Sequence, residues 1–139
     1  MLLDYCVKFG TLCLRDQGGF LPFGAYILID GSLATAGASN GEEHPEPQDL
    51  IEVLADGFTK EAREGNIRAS AICFDGLAAP DAKSEKVDAL ICEMEHRDWH
   101  PMSIAVPYRV LDDGIKLDNA TAATLKAKVF TSAAADRPD

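Results

Sequence analysis

No apolar run in this chain approaches the ~18 residues that a membrane-spanning helix needs, although apolar residues make up 47% of the sequence. Residues 1–8 also lack the basic stretch that opens a secretory signal peptide. These two absences predict a cytoplasmic protein without a membrane partner.

The four cysteines contain no CxxC pair or other metal-ligand spacing. We therefore expect no metal or other cofactor and interpret the cysteines as free thiols in the core, since cysteine is among the most buried residues.

Positive charge is scarce. Only 13 Lys and Arg stand against 23 Asp and Glu, which gives a net charge of −10. Residues 40–64 hold eight of the acids, and only Lys60 and Arg63 oppose them there. A field of this sign repels phosphate backbones and anionic lipid. The composition therefore argues against a nucleic-acid partner and leaves two interpretations, solubility and attraction of a basic protein partner.

The common catalytic signatures are absent as well. The chain has no GxSxG, no P-loop, no dinucleotide fingerprint and no HExxH. The Asp30-Gly31 and Asp113-Gly114 pairs are typical of tight turns and carry no catalytic meaning. The sequence motifs therefore give no reaction class.

What the chain does have is clear periodicity. Apolar residues recur at helical spacing over residues 2–15 and about 47–64, which predicts two amphipathic helices. Segments rich in branched and apolar residues predict strands over residues 20–30, 33–38, 67–75, 87–96 and 102–111, with a short sixth at 115–117.

The predicted order is α-β-β-α-β-β-β, an α+β fold with one antiparallel sheet of about five strands and two main helices packed on it. We predict one domain over residues 1–131 and a disordered tail at residues 132–139. The element order is similar to that of profilin-like and roadblock-like domains, and this resemblance implies a fold and no function.

The register of the last predicted hairpin follows from its alternation. Residues 90, 92 and 94 on one strand and 102, 104 and 106 on the other share a core only if facing numbers sum to an even number. The connecting loop should then hold an odd number of residues. We expect one core, centred on Phe23, Ile27, Leu54, Ile72, Cys92 and Ile104. Glu93 and Glu95 fall on the other, solvated face, where Glu95→Gln should change stability by no more than about 0.5 kcal/mol.

Residues 22–54 carry a local pattern made of Pro22-Phe23-Gly24-Ala25-Tyr26-Ile27-Leu28, Asp30-Gly31, Ala36-Gly37, Asn40 and a proline-containing loop into a helix. This pattern resembles the opening of the cytidine-deaminase-like superfamily. The resemblance implies a zinc ligand and a proton-shuttling glutamate at the start of that helix. Residues 48–52 hold no ligand at the required place, and Cys73 stands where the family has a cysteine pair. His44 and Cys73 fall short of the three protein ligands of a catalytic zinc. The resemblance thus implies a degenerate domain without its zinc ligands.

Residues 93–100 concentrate the polar chemistry of the chain, with two histidines, three acids and a tryptophan. The candidate site residues are Glu93, Glu95, His96, Trp99 and His100, together with His44 from the loop at 41–47. An ordinary polar hairpin tip is the simpler interpretation of this segment.

Two functional hypotheses follow. The first is a non-catalytic protein-interaction or regulatory module that forms a homodimer, because an exposed Trp99 is typical of an interface anchor. The second is a small-molecule or metal-assisted enzyme that uses His44, His96, His100 and the nearby acids. Convergent polar groups in a pocket would favour the second, and an exposed apolar patch the first.

Overall fold

The computed structural model describes residues 2–38, 41, 43–79 and 83–130. Each helix matches a predicted segment, and both begin within a residue of the predicted start. The elements are α1 (Leu2–Gln17), β1 (Phe23–Leu28), β2 (Leu33–Ala36), α2 (Pro47–Arg63), β3 (Ile67–Ala78), β4 (Val87–His96), β5 (Trp99–Leu111), β6 (Gly114–Leu117) and β7 (Thr121–Thr124). The predicted tail at 132–139 lies outside the described residues.

The strands form one antiparallel sheet in the order β2-β1-β3-β4-β5-β6. The last two strands share one edge of β5, because β6 pairs with residues 108–111 and β7 pairs with residues 102–105. The predicted class and element order are confirmed. The sheet is wider than the predicted five strands, since β6 was expected only as a short extension and β7 was not expected at all.

The two helices cover opposite faces of this sheet, so the prediction of a single core is wrong. α1 packs with Phe23, Ile27, Cys92 and Ile104 in the larger apolar cluster, which we call the α1-side cluster. The second, the α2-side cluster, holds Leu54 and Ile72 with other residues of α2, and Val129 and Phe130 from the end of the described chain complete it. A strand covered on both faces buries both sets of alternating side chains, and this splits the expected core into two layers.

The predicted register of the β4–β5 hairpin is confirmed, with Leu90 opposite Val106, Cys92 opposite Ile104 and Met94 opposite Met102. The expected odd loop is wrong, because the turn has two residues, Arg97 and Asp98. A register shift between Met94 and His96 makes this two-residue turn compatible with the observed pairing further along the strands. Glu95 on β4 faces two residues of β5, which is the geometry of a β-bulge.

Gly24 lets α2 approach the sheet closely. A Cβ at Gly24 would lie 2.6 Å from Phe58 Cζ and 3.2 Å from Leu54 Cδ2. Both neighbours are buried side chains of α2. The absence of a side chain at Gly24 therefore sets the distance between α2 and β1.

We predict that Gly24→Ala lowers the free energy of unfolding by about 1–3 kcal/mol, the usual cost of overpacking a core. Gly57→Ala is the matched control, because a Cβ at Gly57 in α2 meets no atom within 4 Å. It should raise stability by about 0.4–1 kcal/mol through lower entropy of the unfolded chain. Urea melts of both variants measure the two changes in the free energy of unfolding. A neutral or stabilising effect of Gly24→Ala would contradict the close approach of α2.

Candidate functional site

His96, Trp99 and His100 lie together at the tip of the β4–β5 hairpin, beside a cleft of about 340 Å³ on the α1 face of the sheet. We call it the tip cleft. Its lining comes from α1 and four strands, namely Leu2, Ile27, Ala69, Met94, Glu95, His96, Trp99, His100 and Met102. Four of the six candidate site residues thus line the tip cleft.

The hairpin fixes the aromatic rings at the mouth of the cleft. Trp99 is the cross-strand partner of His96, and its ring stacks on that of His100 with centroids 5.6 Å apart. The N–H of Asp98 donates to His96 Nδ1 at 3.0 Å, which leaves the proton of a neutral imidazole on Nε2. Trp99 is nevertheless 69% exposed. A large aromatic surface therefore faces solvent next to an apolar cavity.

The chemistry of the tip cleft is mainly apolar. Leu2, Ile27 and Ala69 are buried members of the α1-side cluster, with Met94 and Met102 packed against it. Methionine side chains adapt to the shape of a bound group, and they are common at binding surfaces. The cleft can hold an apolar group against these side chains, with two imidazoles at its rim.

His44 does not join this site. It is exposed in the loop before α2, while the tip cleft lies on the α1 face. The zinc site implied by the resemblance to deaminases would need Cys73 close to the start of α2. Cys73 instead points into the α1-side cluster, away from α2. Within the described residues, the group of potential ligands close enough to share a metal ion is Cys6, Cys73 and Cys92.

These three cysteines come from α1, β3 and β4, and their sulfur atoms all lie within 4.8 Å of one another. Cys73 Sγ and Cys92 Sγ are 3.2 Å apart. The four cysteines are free, and the prediction of core packing is confirmed for these three, whereas Cys13 is only half-buried. No local spacing could reveal the cluster, because its members are separated by 67 and 19 positions in the sequence.

Hydrogen bonding within the cluster shifts the pKa values of the three thiols in different directions. Contacts with Cys73 and then Cys92 lower the pKa of the Cys6 thiol, against the opposing effect of burial. Hydrogen bonding to Cys6, reinforced by burial, raises the pKa of both Cys73 and Cys92.

Glu95 is buried, so the expectation of a solvated carboxylate is wrong. It is 6% exposed, and its side chain lies on the α2 face, where the end of the described chain crosses β4. The N–H of Lys128 donates to both carboxylate oxygens, at 3.0 and 3.1 Å, and the N–H groups of Val129 and Phe130 donate to Oε1 at 2.9 and 3.3 Å. Glu95 therefore anchors residues 128–130 to the sheet, which is a structural role.

Glu93 is held more loosely on the same face. Its Oε1 lies 3.4 Å from Lys128 Nζ, and the lysine side chain is 45% exposed. The same segment also approaches α2, because the Thr59 hydroxyl, which donates to the Ala55 carbonyl at 2.7 Å, lies 3.2 Å from the Lys128 carbonyl. Glu93 and Glu95 together hold the last described segment, because residues 128–130 engage both carboxylates.

We predict that Glu95→Gln lowers the free energy of unfolding by about 1.5–3 kcal/mol, the range for hydrogen bonds to a charged group. The new amide would also place an N–H donor against the N–H of Lys128. Glu93→Gln is the control, and its loss of one ion pair with the half-exposed Lys128 should cost less than about 1 kcal/mol. Denaturant melts compare the two variants, and equal effects would show that Glu95 does not anchor the C-terminal segment.

Neither helix in the described part of the chain combines the length and apolar character needed to cross a membrane. No protein-family model matches the chain, and no curated protein or solved structure is significantly similar to it. The chemistry of the tip cleft and of the cysteine cluster is therefore the basis for any functional conclusion.

Proposed function

We propose that this chain is a non-catalytic interaction module that forms a homodimer through the tip cleft. In the proposed dimer, Trp99 of each copy lies against the cleft of the other. The observation that carries the proposal is the 69% exposure of Trp99 beside an apolar cavity of about 340 Å³. Tryptophan is enriched among the residues that dominate binding energy, and it acts best next to a pocket that excludes water.

The shape of the site suits a symmetric contact. In a two-fold dimer, one patch faces its own copy, so a protruding group and its receptor must lie side by side on the same surface. Trp99 and the tip cleft meet this condition, because Trp99 itself forms part of the cleft mouth. Apolar side chains line the depth of the cleft, as is usual at the centre of an interface.

The polar groups at the cleft support binding more than catalysis. The imidazoles of His96 and His100 reach it, but the carboxylate of Glu95 is engaged on the opposite face by three N–H groups. An active site requires a nucleophile, a base and stabilising donors that converge on one reacting atom. The described lining of the tip cleft offers no such set, so the enzyme hypothesis has less support.

Charge also favours this face for self-association. Arg97 and Asp98 form an ion pair at the hairpin turn, with 3.2 Å between Nε and Oδ2. The acids of α2 lie on the opposite face of the sheet. Two copies that meet at their tip clefts therefore keep these acids apart, and physiological salt screens the remaining repulsion beyond about 8 Å. We place the module in the cytoplasm, where its four thiols stay reduced.

We predict that the protein has a weight-average mass near twice 14.9 kDa at micromolar concentration, measured by sedimentation in buffer of physiological ionic strength. Trp99→Ala should weaken dimerisation by at least ~30-fold, since interface anchors contribute about 2 kcal/mol or more. Circular dichroism should remain unchanged, because Trp99 is mostly exposed and its loss leaves both cores intact.

Val110→Ala is the matched control for this experiment. Val110 lies at the far end of the same strand, β5, and is 68% exposed, close to the exposure of Trp99. The dimer should persist in this variant. A monomeric wild-type protein across the whole concentration range, or equal weakening by Val110→Ala, would refute dimerisation through the tip cleft.

A further inference from the structure

We infer that Cys6, Cys73 and Cys92 form a three-coordinate site for the soft monovalent ion Cu(I), which would join α1 to the centre of the sheet. The inference is independent of the proposed dimer, because the three sulfurs are fully buried and take no part in the tip cleft. It also reverses the expectation, drawn from the lack of local cysteine spacing, that the chain holds no metal.

The geometry of the sulfur atoms fits a trigonal site. With metal–sulfur bonds of about 2.3 Å, the value for zinc thiolates, three sulfurs around a planar centre lie about 4 Å apart. The sulfurs here lie within 4.8 Å of one another, with the shortest separation at 3.2 Å. Binding would therefore require shifts of less than about 1 Å, which rotation about the Cα–Cβ bonds supplies.

The backbone already holds the three ligands in place. Cys73 and Cys92 are direct cross-strand partners on the two central strands, so their side chains point to the same face. Cys6 approaches from α1, where Leu2, Cys6, Gly10 and Leu14 form the buried stripe of the helix. Each of the three residues is 0% exposed. A site preformed in this way loses little conformational entropy when an ion binds.

The number and kind of ligands select the metal. Thiolate ligands favour Cu(I), zinc and iron–sulfur clusters, but structural zinc is almost always four-coordinate. In the described residues no fourth Cys, His, Asp or Glu joins the three sulfurs, and full burial excludes a water ligand from bulk solvent. Three sulfurs in an apolar pocket therefore suit Cu(I) better than Zn(II).

Binding would also change the protonation of the cluster. The thiolate is the form of cysteine that ligates a metal, so coordination of Cu(I) by the three sulfurs would release the thiol protons to solvent.

The site would control the attachment of α1 to the sheet. The ion would bond to one residue of the helix and to both central strands, so it would cross-link α1 to β3 and β4, which are already hydrogen-bonded to each other. Because the sulfurs are fully buried, an ion can enter only when α1 separates from the sheet or before the helix has docked. We therefore expect a slowly exchanging ion that stabilises the native state.

The test is an anaerobic titration of the reduced full-length chain with Cu(I) buffered by bicinchoninate, a chromophoric competitor. We expect one Cu(I) per chain, and X-ray absorption should report three sulfur neighbours at about 2.3 Å, close to the zinc–thiolate distance. Binding should raise the midpoint of thermal unfolding. Zn(II) offered under the same conditions should bind substoichiometrically.

The variants Cys73→Ala and Cys13→Ala make the assignment specific. Cys73→Ala removes one ligand and should weaken Cu(I) binding by at least ~100-fold, the upper end of the loss seen when even indirect support of a metal is removed. Cys13→Ala removes a half-buried thiol outside the cluster and should keep full affinity. If Cys73→Ala does not fold, the sulfur count of the wild-type complex and the Cys13→Ala affinity decide.

Four results would overturn the inference. They are failure of the wild-type protein to retain Cu(I) against bicinchoninate, retention by Cys73→Ala, loss in Cys13→Ala, and an X-ray absorption spectrum with fewer than three sulfurs. Stoichiometric Zn(II) binding tighter than Cu(I) would overturn the choice of metal.

Discussion

The burial of β3 and β4 on both faces is the constraint on which the rest of the structure depends. A strand in this position directs alternate side chains into two different environments. On β4, Cys92 and Met94 face α1, whereas Glu93 and Glu95 face α2 and the end of the chain. The thiol cluster, the tip cleft and the carboxylate anchor are consequences of this alternation along one strand.

A buried carboxylate is tolerated on β4 because the chain supplies donors to it. Three successive N–H groups from residues 128–130 converge on Glu95. Hydrogen bonds to an ionised group are about twice as strong as neutral ones, so they offset part of the cost of taking the charge out of water. The same contacts bring Val129 and Phe130 onto the α2-side cluster. The acid and the apolar pair therefore hold the last described segment together.

The bulge in the β4–β5 hairpin determines what the tip presents. Without the register shift, the pairing of β4 and β5 in which facing residue numbers sum to an even number would continue to the turn. With the shift, His96 pairs with Trp99, and both line the tip cleft beneath α1. The extra residue on β5 falls at His100 and Pro101, and Pro101 has no N–H to contribute to a ladder, which suits a bulge.

Local periodicity was sufficient to predict the helices, the six strands up to residue 117 and the alternation of β4 and β5, because these properties depend on near neighbours in sequence. It could not assign Glu95 correctly. A glutamate between apolar residues indicates a solvated face unless a distant segment supplies donors, and here that segment is 33 residues away. The thiol cluster was hidden for the same reason. Each cysteine was recognisable as a buried residue, but only the sheet topology brings three of them together.

The two proposed sites share α1 as a wall. Leu2 lines the tip cleft and Cys6 belongs to the thiol cluster, one helical turn apart on the buried stripe of the helix. Any movement of α1 away from the sheet would open the cleft and separate Cys6 from Cys73 and Cys92 at the same time. An ion held by the three sulfurs would oppose that movement, because it bonds the helix to both central strands. The position of α1 is therefore the physical link through which the thiol cluster can affect the shape of the tip cleft.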